Sequence, residues 1–266
     1  LEGLFDTSEL AVAAEQRLAC TLHHFDQAAM LRELPAHSRI DVFVKLNTGM
    51  NRLGIAPRDL GSMLERLEAI PCVGSITLMT HFACADDEGG IAEQFRRFSE
   101  ATRSRTLPHS VANSAAILRF PEAHGQWIRP GIMLYGASPF TDRPAESLGL
   151  RPVMTLTSRI IGVQELAAGD AVGYGATFVA SRPMRIGIVA CGYADGYPRH
   201  APTGTPVLVE GRRTVTLGRV SMDMLCVDMT AIPGAGLGSD VTLWGEGLAA
   251  DEVPAGRGGR SRGRRG

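Results

Sequence analysis

The feature that most constrains this chain is a change of hydrophobic period near residue 140. Before it, segments 10–19, 25–34, 58–69 and 92–102 carry apolar residues three and four apart with charges between them, as amphipathic helices do. Short, mostly apolar runs at 40–46, 75–82, 110–113 and 128–135 lie between them and read as strands. Strands alternating with helices of this length predict βαβ units and a parallel sheet or barrel. From about Arg151 the helical period is gone. Segments 153–166, 184–190, 206–209, 214–217, 224–229 and 240–244 are β-rich and separated by Gly, Pro and Asp turns. The polar stretch 141–149 marks the boundary. We therefore expect an α/β domain over 1–140, a mainly-β domain over 141–254, and a disordered Arg/Gly-rich tail over 255–266. That tail has five arginines, but nothing upstream supports the nucleic-acid work of an RGG segment.

Bulk properties remove several function classes. A net charge of −1 gives no general attraction to nucleic acid or membrane, and no run approaches the roughly 18 apolar residues of a membrane span. The five cysteines are odd in number and lack a C-x-x-C pair, which argues against a disulfide framework and against zinc. The first residues have neither a basic segment nor a cleavage pattern. The expectation is a reduced, cytoplasmic protein with no metal, and the missing initiator methionine points to a fragment.

Lys45 is the only lysine, inside the string Lys45-Leu46-Asn47-Thr48-Gly49-Met50-Asn51-Arg52-Leu53-Gly54. It reads either as an amine nucleophile or as the survivor of codon usage that favours arginine. Arg52 follows the same predicted strand, His81 ends the next, and Asn113-Ser114 ends a third and opens the helix 115–119. In a parallel barrel these are C-terminal strand ends, where active sites are built. Ser114 can cap that helix or hold a phosphate at its N-terminus. Gly131, in Arg129-Pro130-Gly131-Ile132, lets backbone approach such an anion. Singly, Arg129 could be a surface ion pair and His81 an ordinary core histidine. In the second domain, Gly192-Tyr193-Ala194-Asp195-Gly196-Tyr197-Pro198-Arg199 and Gly218-Arg219-Val220-Ser221-Met222-Asp223 are loops that follow strands.

Taken together, these strings resemble bacterial alanine racemase, a pyridoxal-phosphate enzyme family. Thr80-His81-Phe82-Ala83, Ala112-Asn113-Ser114-Ala115-Ala116, Gly173-Tyr174-Gly175-Ala176-Thr177-Phe178 and Leu243-Trp244-Gly245 extend the match, in the family's order. The resemblance implies an incomplete TIM (β/α)8 barrel followed by a C-terminal mainly-β domain, and interconversion of L- and D-alanine by two-base proton transfer on a pyridoxal-phosphate aldimine, which supplies D-alanine for peptidoglycan. It implies cofactor contacts at His81, Asn113, Ser114, Arg129, Gly131 and Ile132, and substrate contacts at Arg52, Met222 and Asp223. Tyr193 is implied as the catalytic base that serves the partner's site in a homodimer.

The family's Schiff-base lysine motif, close to Val-x-Lys-Ala-Asn-Ala-Tyr-Gly-His-Gly, is not in this chain, nor is its C-terminal Gly-Thr-x-x-Tyr-Glu segment. Lys45 resembles instead a family lysine that is carboxylated on its amine in several members and buttresses the neighbouring arginine, here Arg52. The chain alone is then expected to be inactive. Two other readings stay open, a non-catalytic phosphate-binding or dimer-partner fragment and a related racemase of serine or broader specificity.

Overall fold

The computed structural model describes residues 2–253, so the expected tail at 255–266 lies outside the described residues. The chain divides into two compact units. One holds the residues up to 133 with 139–141, and the other holds 134–138 and the residues from 142 on.

The first unit runs α1 (Ser8–Glu15), β1 (Cys20–Leu22), α2 (Phe25–Met30), β2 (Ile40–Lys45), α3 (Leu60–Glu68), β3 (Val73–Met79), α4 (Ala92–Thr102), β4 (His109–Asn113), α5 (Ser114–Arg119) and β5 (Trp127–Arg129). The five strands pair in parallel in the order β1-β2-β3-β4-β5, in line with the incomplete β/α barrel expected. Parallel neighbours require a crossover, and the helices supply it with an apolar face turned inward. On α3 that face is Leu60, Met63, Leu64 and Leu67, at positions i, i+3, i+4 and i+7. Ile40, Val42 and Val44 alternate along β2, all essentially buried.

Three local expectations need correcting. Helix α1 stops at Glu15, and Arg17 takes a left-handed turn (φ 53°) into β1, a strand too short for its period to show. The predicted strand at 128–135 ends at Arg129, because Pro130 has no N–H to give a neighbouring strand. Residues Ile132–Tyr135 form a 3-10 turn instead. The predicted helix at 25–34 is α2 tightened into a 3-10 turn over Leu31–Glu33.

The second unit contains β6 (Leu156–Leu166), β7 (Ala171–Val172), β8 (Phe178–Val179), β9 (Met184–Val189), β10 (Pro206–Val209), β11 (Arg212–Leu217), β12 (Leu225–Asp228) and β13 (Asp240–Trp244). Six of them close an antiparallel barrel in the order β10-β11-β12-β9-β6-β13, while β7 and β8 form a separate ribbon. Closure leaves no unpaired barrel edge. Val189, Val207, Val209, Val227, Val241 and Leu243 fill the interior with no exposed surface.

Candidate active site

Strand β2 delivers Lys45 to its C-terminal end, and the following loop folds straight back. The Asn47 N–H donates to Ile55 O at 2.8 Å and the Ile55 N–H to Lys45 O at 2.9 Å. Between them the Asn47 side chain accepts from the Gly49 and Asn51 N–H groups at 3.2 and 3.0 Å, an Asx turn that holds the loop carrying Arg52. Gly54 closes it at φ 133°, where a Cβ would run into the backbone of Leu46 and Asn47. Lys45, Arg52, Thr80 and His81 line one small cavity at these strand ends.

Arg129, at the end of β5, spans the two strands before it. Its Nη1 donates to Ser110 O at 2.5 Å and to Ser110 Oγ at 2.8 Å, and its Nη2 donates to Thr80 O at 2.7 Å. The second Nη2 hydrogen faces His81 Nδ1 at 3.5 Å. Only the Nε–H has no partner among the described residues. Burial pulls the guanidinium down to about 10, still fully charged at neutral pH. Burial, then the charges of Arg129, Arg52 and Lys45, pushes His81 down to about 4, so its ring is neutral and Nδ1 is free to accept. Burial, then Arg52 and Arg129, lowers the Lys45 amine as well.

Ser114 starts α5, and its Oγ accepts from the Gly131 N–H at 2.8 Å and the Met133 N–H at 3.5 Å. The cap is Asn113, whose Oδ1 accepts from the Ala116 N–H at 3.1 Å while its Nδ2 donates to Phe82 O at 3.2 Å. The N-cap role considered for Ser114 therefore belongs to its neighbour, which leaves the Ser114 hydroxyl beside the Gly131 backbone. Both ends of the Asn113 side chain are spent on the fold. Ile132 opens the 3-10 turn and is half exposed.

In the second unit Tyr193 begins a 3-10 turn after β9. Its N–H donates to Ser221 O at 3.1 Å, and the Ala194 N–H donates to Met222 O at 2.9 Å. These bonds stitch the Tyr193 turn to the loop carrying Met222 and Asp223. Gly192 permits the approach, since a Cβ there would collide with the carbonyls of Ser221 and Met222. The Arg199 guanidinium lies 5.0 Å from the centre of the Tyr193 ring. Tyr193, Arg199, Arg219, Met222 and Asp223 line an open groove of about 770 Å³.

The first unit thus gathers Lys45, Arg52, His81, Ser114, Arg129 and Gly131 at consecutive strand ends, and the second gathers Tyr193, Met222 and Asp223. Sequence reasoning missed Thr48, Thr80, Gln94 and Ser110, which hold these groups from behind. No spacing rule links partners that lie anywhere from 11 to 49 positions apart. Among the described residues no helix is long and apolar enough to cross a membrane.

Charged side chains at the C-terminal ends of parallel strands place the chain among β/α-barrel enzymes. The alanine racemase N-terminal domain family matches residues 1–139 and the alanine racemase C-terminal domain family matches 153–258. An alanine racemase of Thiobacillus denitrificans is 58% identical over 258 residues, covering 97% of this chain and 70% of that protein. One of Nitrosospira multiformis is 59% identical over 256 residues, covering 95% and 72%. The crystal structure of the biosynthetic alanine racemase from Pseudomonas aeruginosa superposes with a TM-score of 0.89 at 47% identity, over 95% of this chain and 71% of that one. The chain belongs to the alanine racemase family and is of the isomerase class.

Proposed function

We propose that the chain racemises alanine with pyridoxal phosphate held at the C-terminal ends of β3, β4 and β5. The observation that carries this reading is the fixed Arg129 guanidinium, whose Nη2 faces a neutral His81 and whose Nε–H has no partner among the described residues.

The residues suit both ends of that cofactor. The Ser114 hydroxyl, the Ile132 backbone and the start of α5 offer the donors a phosphate takes, and Gly131, whose N–H donates to Ser114 Oγ, brings its backbone alongside them. Asn113 helps indirectly, by capping α5 and anchoring it to Phe82. The Arg129 Nε–H suits a ring nitrogen that stays unprotonated, since a guanidinium at this site keeps its proton. His81, uncharged, can lie against a flat ring without competing for that nitrogen. When bound, pyridoxal phosphate supplies a conjugated electron sink that acidifies the proton on the alanine Cα.

The chain's own groups then bind and move protons. Arg52 takes the substrate carboxylate, and Met222 and Asp223, on the loop stitched to the Tyr193 turn, are the further substrate contacts we assign. Tyr193 is the base for one face of the Cα, and the Arg199 guanidinium, 5.0 Å from the centre of its ring, holds the ring in place. The lowering of the Lys45 amine favours its neutral form, whose lone pair would attack the carbon of carbon dioxide and release a proton, leaving a carbamate whose negative charge lies beside Arg52 and Arg129. Tyr174 (73% exposed) and Met222 (55%) are large apolar side chains in contact with water, which favours a homodimer in which Tyr193 serves the partner's site. D-alanine for peptidoglycan is the product we assign.

The test is Tyr193→Phe in the racemising enzyme. Turnover of L-alanine falls by about 10²–10⁴-fold while pyridoxal phosphate affinity holds; loss of affinity together with turnover would make Tyr193 a structural residue. One observation favours a second reading. Lys45 is the chain's only lysine, and it faces two guanidiniums. On that reading these 266 residues hold the cofactor without a covalent bond and do not turn over alanine. Borohydride then fixes no pyridoxyl group onto the chain, and mass spectrometry that finds one at Lys45 reverses the assignment.

A further inference from the structure

Behind His81 lies a set of polar groups that the proposed chemistry does not use. Thr80 Oγ1 donates to Leu46 O at 3.0 Å, so its 2.7 Å bond to Thr48 Oγ1 must be an acceptance. Thr48 has then spent its only proton, and it accepts from Gln94 Nε2 at 3.3 Å. The direction of the whole relay is fixed, from Gln94 through two hydroxyls to the end of β2. Both threonines are 1% exposed, so water does not stand in for a missing partner.

Gln94 makes two more bonds. Nε2 also donates to His81 O at 3.0 Å, and Oε1 accepts from the Ala83 N–H at 2.8 Å. One primary amide therefore grips the backbone on both sides of Phe82, at the turn that aims the imidazole. Its relay arm ties the same turn to the loop carrying Arg52. Helix α4 does not need Gln94 for itself. Its buried residues are Phe98 and Thr102, and its exposed face is laced by Arg96 and Arg97 with Glu93 and Glu100.

We propose that Gln94 is a positioning residue for His81, fixing the imidazole through three amide hydrogen bonds and registering it against the Arg52 loop. Its relevance to racemisation rests on the role given to His81 above, but the positioning does not.

The experiment is histidine-13C NMR of the full chain across pH, comparing the parent with Gln94→Met and Gln94→Asn. Methionine keeps the bulk and loses all three bonds, whereas asparagine keeps the amide one methylene short. His109 is the internal control, because its ring stands edge-on to Phe98 of the same helix at 5.1 Å. In both variants the His81 titration midpoint rises by about one pH unit as the turn opens to water, while that of His109 stays put. An unmoved His81 overturns the proposal, and so does an equal shift of both rings, which would mean that α4 has simply loosened. If Gln94→Met does not fold, Gln94→Asn decides by the same two signals. A shifted His81 with unchanged pyridoxal phosphate affinity keeps the positioning role and removes His81 from the cofactor site; reduced affinity with His81 unmoved overturns the positioning.

Discussion

Single residues here are tuned mainly by burial and by one another's charge. His81 is the clearest case, and its titration has a consequence for stability. In the folded chain it protonates near pH 4, whereas unfolded it takes a proton near its usual 6.5. As pH falls from 6.5 toward 4 the unfolded chain binds the extra proton, so stability is full above 6.5 and is lost progressively across that window. His109, lowered by burial, acts in the same direction. Denaturant midpoints measured from pH 7 to pH 4 should fall, and the slope should be shallower in His81→Asn; an equal slope would mean that other groups carry the dependence. Much at this scale was legible. Lys45, Arg52, His81, Ser114 and Arg129 stand out in the chain as charged or polar residues at the ends of apolar runs. What the sequence could not give is their state, because neutralising His81 takes burial by the fold and then a guanidinium 48 positions away.

At the scale of elements, the strand–helix alternation predicted the parallel layer, but the ends of elements followed rules that periodicity does not see. Pro130 ended β5, the left-handed Arg17 opened the way to β1, and Asn113 rather than Ser114 took the cap. The cap has a measurable worth. Asn113→Ala removes the acceptor for the Ala116 N–H and the donor to Phe82 O, and α5 is only six residues long. We expect a loss of about 1–2 kcal/mol in unfolding free energy, together with weaker phosphate binding as the start of α5 frays. Unchanged stability by chemical denaturation would mean that water replaces both bonds. The β-rich second half was read correctly as strands. Its closure into a six-stranded barrel was not legible, because closure depends on β10 meeting β13, and alternation along one strand does not name its neighbour.

The two units differ as whole bodies. The closed barrel pairs every one of its strands on both sides, whereas in the described residues β1 pairs with β2 alone. Hydrogen exchange should therefore be slower in β9 and β12, which are paired on both sides, than in Cys20–Leu22, by at least about tenfold. Equal protection would show that β1 is covered in solution by another chain or segment. The parallel layer also bears on how the site fails. Arg129 belongs to β5 but is held by the carbonyls of Thr80 and Ser110, so its position gauges the spacing of three strands at once. A sheet that shears by even an ångström withdraws that charge while every helix is still wound. Warming should therefore silence such a site before it melts the fold, with the loss of function leading the loss of structure along the temperature axis.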